Sequence, residues 1–332
     1  DAAVPANTSA GVTVGPLVPS VTAVTPLTGT LAAGTYDFAD EVVRISGAVM
    51  LPSTAIMTLG PGTVLKFDTG AYLRIQGELY AMGSAGSPVV FTSITDDSAG
   101  GDTNGDGPSS GSPGSWNYVW YDQSSRGQMD HVQVRYGGAG TGQVLVYRLA
   151  DVAFSNLLVE HSANDGFYLR DAVVSIEQST VRNNGSNGIN VAYARAGGGP
   201  FVFRNNEIRN NANSGIYVDR YPETITSNTI ADNGANGVYY GSAPAAGVAP
   251  ELTGNTLTGN QILARLPLTA VPGAGAGNTI SGHARTHMEV IGSAFNDNRT
   301  LVMAGLSAYW QVSGDVAVQP GASLQLSEDV VW

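Results

Sequence analysis

Five segments in the middle of the chain share one pattern that a chain satisfies only by coiling back on itself. When Val159, Val181, Ile208, Ile230 and Leu257 are aligned, at spacings of 22, 27, 22 and 27 residues, their neighbours fall into columns. Leu157, Ser179, Asn206, Asn228 and Asn255 stand two places before them, and Ser162, Asn184, Asn211, Asn233 and Asn260 three places after. Seven places after the first four come Gly166, Gly188, Gly215 and Gly237, each opening a short apolar run such as Gly-Ile-Tyr-Val. Val134 and Ile280 extend the series in both directions. Self-similarity at such a period predicts a solenoid, whose units bury their apolar faces only against one another.

The content of each unit selects the kind of solenoid. A leucine-rich repeat would need several leucines per unit and a helical return. Instead, each unit holds two or three short alternating runs of Val, Ile and Tyr, separated by Asn-Gly, Asn-Asn and Ser-Gly. Alternation bounded by turn residues predicts strands. The expected fold class is therefore all-β: a single-stranded right-handed parallel β-helix with three short strands per coil. At tight bends Asn tolerates left-handed backbone angles and bonds its own backbone. Stacked asparagines also bond one another, and Asn206, Asn228, Asn255 and Asn278 are the expected internal ladder.

The run Phe203-Arg-Asn-Asn-Glu-Ile-Arg-Asn-Asn-Ala-Asn-Ser-Gly-Ile-Tyr-Val218 resembles the parallel β-helix repeat family of secreted bacterial proteins. The stretches Val49–Phe67, Leu73–Leu79 and Gly86–Thr92 are similar to opening coils of that family. The resemblance spans roughly residues 35–330 and implies an architecture and a place outside the cell, at the bacterial surface or beyond it. It does not imply one activity, because this scaffold carries lyases, hydrolases, epimerases, adhesins and inert spacers. Residues 1–34 are expected to form an extended linker or N-terminal cap, and 35–332 the β-helix. Residues 96–115 would leave the coil as a loop. Residues 305–332 echo the opening coils and stop within an expected strand, which fits either a longer parent chain or subunits stacked head to tail into a homo-oligomer.

Composition narrows the partners. The chain has 332 residues, a net charge of −12 and a single lysine, Lys66, so a phosphate backbone would be repelled and nucleic acid is not expected. No apolar run approaches the ~20 residues of a membrane span, and no polybasic segment offers a surface anchor. Cysteine is absent, which excludes a disulfide framework.

Three places are candidates for function. Asp102-Thr-Asn-Gly-Asp-Gly107 matches the first half of a calcium loop, with oxygen ligands on alternate residues and a glycine at the turn. The twelfth position is Pro113, so Asp96 or Asp97 would complete a structural Ca2+ site with Asp102, Asn104 and Asp106. Tyr168, Tyr217 and Tyr239 each follow a column glycine by two residues and would share one outward face, able to receive sugar rings. Beside them lie Arg170, Asp171, Asp219 and Arg220, the candidate catalytic groups for a lyase or a glycosidase, and the longer coils place Ala192–Pro200 and Ser242–Pro250 at their edge. Asp165 joins Asp171 and Asp219 as a possible hydrolytic carboxylate by position alone. The histidines are dispersed: His161 falls on a turn column, and the His283–His287 spacing lacks the rest of a zinc motif. The first reading is a non-catalytic extracellular rod that contacts glycans or other copies of itself. The alternative is a lyase or glycoside hydrolase acting on an acidic polysaccharide.

Overall fold

The computed structural model describes residues 24, 26–192, 200–219, 223–242, 251–267, 277–285, 287–292, 294–295, 299–301 and 309–326. The strands stack in parallel into three ladders. The first ladder has nine strands among the described residues, from Gly34–Phe38 through Glu78–Met82, Asp151–Ser155 and Phe201–Arg204 to Glu251–Thr253. The second carries Val64–Phe67, Val89–Ser93, Val132–Arg135, Leu158–Glu160, Thr180–Arg182 and their successors. The third carries Tyr72–Ile75, Val119–Tyr121, Gly142–Tyr147, Asp165–Arg170, Ile189–Val191, Ile216–Val218, Asn236–Tyr240 and Ile262–Pro267. Near the start, one long strand, Val42–Leu51, serves both the second and the third ladder. Pro26–Thr30 already pairs with it, so ordered coiling begins within the first 34 residues.

The aligned residues of the sequence repeat are the inward column of the second ladder. Val134, Val159, Val181, Ile208, Ile230, Leu257 and Ile280 are consecutive register partners. All but Ile280 are buried. Phe167, Ile189, Ile216 and Val238 form the matching column of the third ladder. Each inward Val or Ile contributes about 1.5–3 kcal/mol by leaving water, and the alternating outward residues remain for function.

Both corners beside the second ladder are asparagine ladders. At the expected one, Asn206, Asn228 and Asn255 each donate through the backbone N–H and Nδ2 to the Oδ1 of the next ladder residue, Asn278 receiving the last pair, at 2.9–3.1 Å. Ser179 joins its upper end by donating its N–H to Asn206 Oδ1. Asn184, Asn211, Asn233 and Asn260 form an equal second ladder at the opposite corner. The left-handed angles do not fall on the ladder residues. They fall one place earlier, at Asn156, Gln178, Asn205 and Ser227 on one corner and at His161, Asn183, Asn210 and Asp232 on the other. Bending and bonding are thus divided between adjacent positions.

The glycine column follows from the second ladder. A Cβ on Gly188 would lie 2.7 Å from the carbonyl oxygen of Gly215 and 2.8 Å from Nδ2 of Asn211. Gly166, Gly215 and Gly237 meet equivalent neighbours. The Asn amide occupies the space a side chain would need.

Candidate functional site

The outward face of the third ladder carries a strip of mostly aromatic and arginine side chains. Register places Arg74, Trp120, Leu145, Tyr168, Asn190, Tyr217, Tyr239 and Arg265 in one column. Tyr168, Tyr217 and Tyr239, expected to align, do so, with Asn190 between the first two. Eight rungs at ~4.8 Å give the strip a length of about 34 Å.

Ring contacts join most of it. Tyr72 lies 5.1 Å from Tyr118, Trp120 lies 5.6 Å from Tyr147, and Tyr147 lies 5.5 Å from Tyr168 between ring centroids. Beyond Asn190, Tyr217 and Tyr239 stack at 5.3 Å with their planes 14° apart. Guanidinium groups cover both ends of the column: Arg74 over Trp120 at 4.5 Å and Arg265 over Tyr239 at 4.9 Å. These rings are half-buried rather than fully exposed, so each presents part of a face or edge to solvent. Burial raises the phenol pKa of Tyr147, Tyr168 and Tyr217, keeping them neutral hydrogen-bonding groups at ordinary pH.

At the Trp120 end sits a wholly buried carboxylate, Asp122. Its Oδ2 accepts from Arg74 Nε at 3.0 Å and from Arg74 Nη2 at 2.5 Å. Arg148 Nε stands 3.5 Å from Oδ1, an atom with no hydrogen-bond partner. Seven buried side-chain polar atoms lack such a partner among the described residues, and three belong to the strip: Trp120 Nε1, Asp122 Oδ1 and Asn190 Oδ1. Buried polar groups are ordinarily satisfied, so these three atoms are places where the packing of the strip is polar without being fully paired.

The other candidate residues divide. Arg170 Nε lies 3.6 Å from Asp171 Oδ2 at the edge of the strip. Asp219 follows the strand Ile216–Val218 and raises the Tyr217 phenol pKa further by its charge. Arg220 lies outside the described residues, as do most of the two edge loops. Asp165 is buried and saturated by Asn187 and Asn190, which makes it a brace for the strip rather than a free carboxylate. His161 stacks on Tyr136 at 5.6 Å, and His283 continues the second asparagine ladder by facing the carbonyls of Asn260 and Leu257. Tyr72, Arg74, Tyr118, Trp120, Asp122 and Tyr147 are members that the repeat did not reveal.

Within the acidic excursion, Asp97, Asp102 and Asp106 bring carboxylate oxygens within 4.8 Å of one another. Asp97 Oδ1 there is buried without a hydrogen-bond partner. Asp96 faces away: it bonds Thr92 and Ser98 and pairs with Arg135 Nε at 2.8 Å. Burial works to raise the Asp96 carboxyl, but the Ser98 and Thr92 bonds and the Arg135 charge together hold it below the usual carboxylate range. Asn104 donates to Asp106 Oδ2 at 2.8 Å. Beneath the loop lies buried Lys66, whose ammonium donates to the carbonyl of Gly101. Desolvation lowers its pKa against the pull of the four aspartates.

Residues 118–301, over half of the chain, match the family described as the right-handed β-helix region, and the chain belongs to that family. Among solved structures it is similar to the A-module of the mannuronan C-5 epimerase AlgE6 of Azotobacter vinelandii, at 15% identity and a TM-score of 0.50, over 88% of this chain and 91% of that one. The A-module of AlgE4 from the same organism matches at 14% identity and a TM-score of 0.42, over 90% of both chains. The pectate lyase Pel9A matches at 12% identity and a TM-score of 0.31, over 91% of this chain and 76% of that one. No curated protein sequence matches at a significant level.

Proposed function

We propose that this protein acts on an extended acidic polysaccharide, which it takes along the outward face of the third ladder. The observation that carries the reading is the column of mostly aromatic and arginine side chains there, in unbroken strand register and interrupted at Leu145 and Asn190. Stacking faces at successive rungs suit a polymer of rings whose repeat is close to the rung spacing. Arginines within the strip suit carboxylates on those rings. A non-catalytic rod that contacts glycans would also use such a strip; the polysaccharide-active reading takes precedence because the solved structures that share the architecture include a mannuronan C-5 epimerase module.

The chemistry proposed is proton abstraction beside a uronate carboxylate, the shared first step of elimination and epimerisation. In this reading Arg170, with Asp171 beside it and Asp219 at a later coil, is a candidate for neutralising that carboxylate or moving the proton; Arg220, outside the described residues, is a candidate by sequence alone. The protein would work outside the cytoplasm, where such polymers lie; among the described residues no helix is long and apolar enough to cross a membrane. End-to-end association of copies is proposed as a secondary property.

The test is incubation with polymannuronate, polyguluronate and polygalacturonate, following ultraviolet absorbance for an unsaturated product and proton NMR for inversion at C5. Either signal, lost in a Tyr217→Ala/Tyr239→Ala variant that still folds, supports the reading. Neither signal and no binding to any of the three polymers contradicts it.

The acidic loop is proposed as a structural Ca2+ staple formed by Asp97, Asp102 and Asp106. Three carboxylates less the Lys66 ammonium leave two negative charges, which a hard divalent cation with oxygen ligands would balance.

A further inference from the structure

We infer that Arg148, held in a strained turn over Asp122, is the residue that makes this face select acidic over neutral sugars. This inference rests on the glycan reading of the third face and names the part of it that recognises charge.

Arg44–Asp68 and Arg135–Asp96 each match one guanidinium to one carboxylate. Asp122 instead carries two guanidinium groups, Arg74 and Arg148. The two are not equivalent. Arg74 binds Asp122 through two nitrogens and lies against the Trp120 ring. Arg148 approaches no nearer than 3.5 Å, makes no side-chain hydrogen bond among the described residues, and leaves 57% of its side chain exposed. Arg74 already neutralises Asp122, so Arg148 is the surplus cation of the strip, available to a carboxylate from outside.

Backbone strain points to the same residue. Arg148 and Leu149 both adopt left-handed angles, with φ of 56° and 65°, and so do Gln123 and Ser124 on the adjacent rung. A pair of consecutive non-glycine residues in this region is costly, most of all with a bulky side chain such as Leu149. Such strain persists where the surroundings impose it and gathers at ligand sites. Here the turns brace each other: Ser124 N–H donates to Arg148 O, and Leu149 N–H donates to Asp171 O. The result presents Arg148 beside Tyr147 and leaves Leu149 60% exposed at the rim of the strip. Trp120 lies on the same stretch of the strip, its ring 5.6 Å from that of Tyr147. Together these supply aromatic rings, an apolar rim and a cation: the components of a subsite for one uronate unit.

The experiment measures binding of hexamers of mannuronate, guluronate and galacturonate, with neutral cellohexaose and xylohexaose as controls, to the wild type and to Arg148→Ala, Arg148→Lys and Arg148→Gly. Arg148→Ala is expected to weaken uronate binding at least tenfold while leaving any neutral-sugar binding unchanged. Arg148→Lys keeps the charge but loses the planar fork, and is expected to recover only part of the affinity. Arg148→Gly removes the guanidinium and relieves the turn, so its melting temperature should equal or exceed that of the wild type while its uronate binding matches Arg148→Ala. Uronate affinity that survives in Arg148→Ala overturns this inference and leaves the glycan reading standing. A wild type that binds no uronate hexamer overturns both.

Discussion

Each corner of a coil depends on two adjacent residues with different tasks. The first turns the backbone through the left-handed region, and the second closes the gap between coils with its amide. Asn228 is a link of the second kind: it supplies Oδ1 to two donors of Asn206, and its own Nδ2 bonds the Phe203 carbonyl. Replacing it with Ala orphans several buried groups at roughly 1–3 kcal/mol each, so the urea midpoint should fall sharply. Asn205→Ala, changing the exposed left-handed residue that precedes Asn206, should cost about 1–2 kcal/mol, the steric penalty of that conformation. At the far end of the second ladder, burial lowers the His283 pKa below its usual 6.5, against the pull of the Asn260 and Leu257 carbonyls. The folded form therefore favours the neutral ring. The stability this gives is complete above the unfolded value and is lost as pH falls through 6.5 toward the depressed folded value. A His283→Gln variant should show a flatter dependence of the urea midpoint across that window.

The three ladders share one core but not one duty. The second is bordered by both asparagine ladders and holds the coils in step. The third presents the aromatic strip, with the strained turns at its edge. The part of the strip readable from sequence was its regular half, Tyr168, Tyr217 and Tyr239, because coils of 22 and 27 residues kept their spacing visible. The other half was hidden by the excursion at 96–115, which lengthens the connection between the strands Val89–Ser93 and Val119–Tyr121. It separates Leu73 from its register partner Val119, so Trp120, Asp122 and Tyr147 have no repeat to announce them. The acidic loop was legible as a cation motif, but not the turning away of Asp96 toward Arg135, a partner that only coiling brings near. If the loop takes calcium, excess Ca2+ should raise the melting temperature, with a stabilisation of about 2.7 kcal/mol at a hundredfold excess over the dissociation constant. Asp102→Asn should remove that response, and a melting temperature equal in calcium and in chelator would contradict the staple.

Over the whole molecule, parallel coils turn separations of 22–30 residues into direct neighbours along the axis. This is why the sequence repeat revealed the architecture while leaving the activity open: columns are fixed by packing inside, whereas the outward residues are free to vary from coil to coil. The sequence favours a non-catalytic glycan-contacting rod because no one coil holds a catalytic motif, yet the outward strip is assembled across coils. End-to-end joining makes a separate expectation: electron microscopy at high concentration should show filaments, and single rods alone would contradict it. The central claim is that an acidic polysaccharide lies along the third ladder. Hydroxyl-radical footprinting with and without a polyuronate tests it most directly. Protection should cover Tyr72, Trp120, Tyr147, Tyr168, Tyr217 and Tyr239, leaving Tyr36, Tyr80 and Tyr136 on other faces unchanged; protection of those three, with the strip unaffected, would contradict the account.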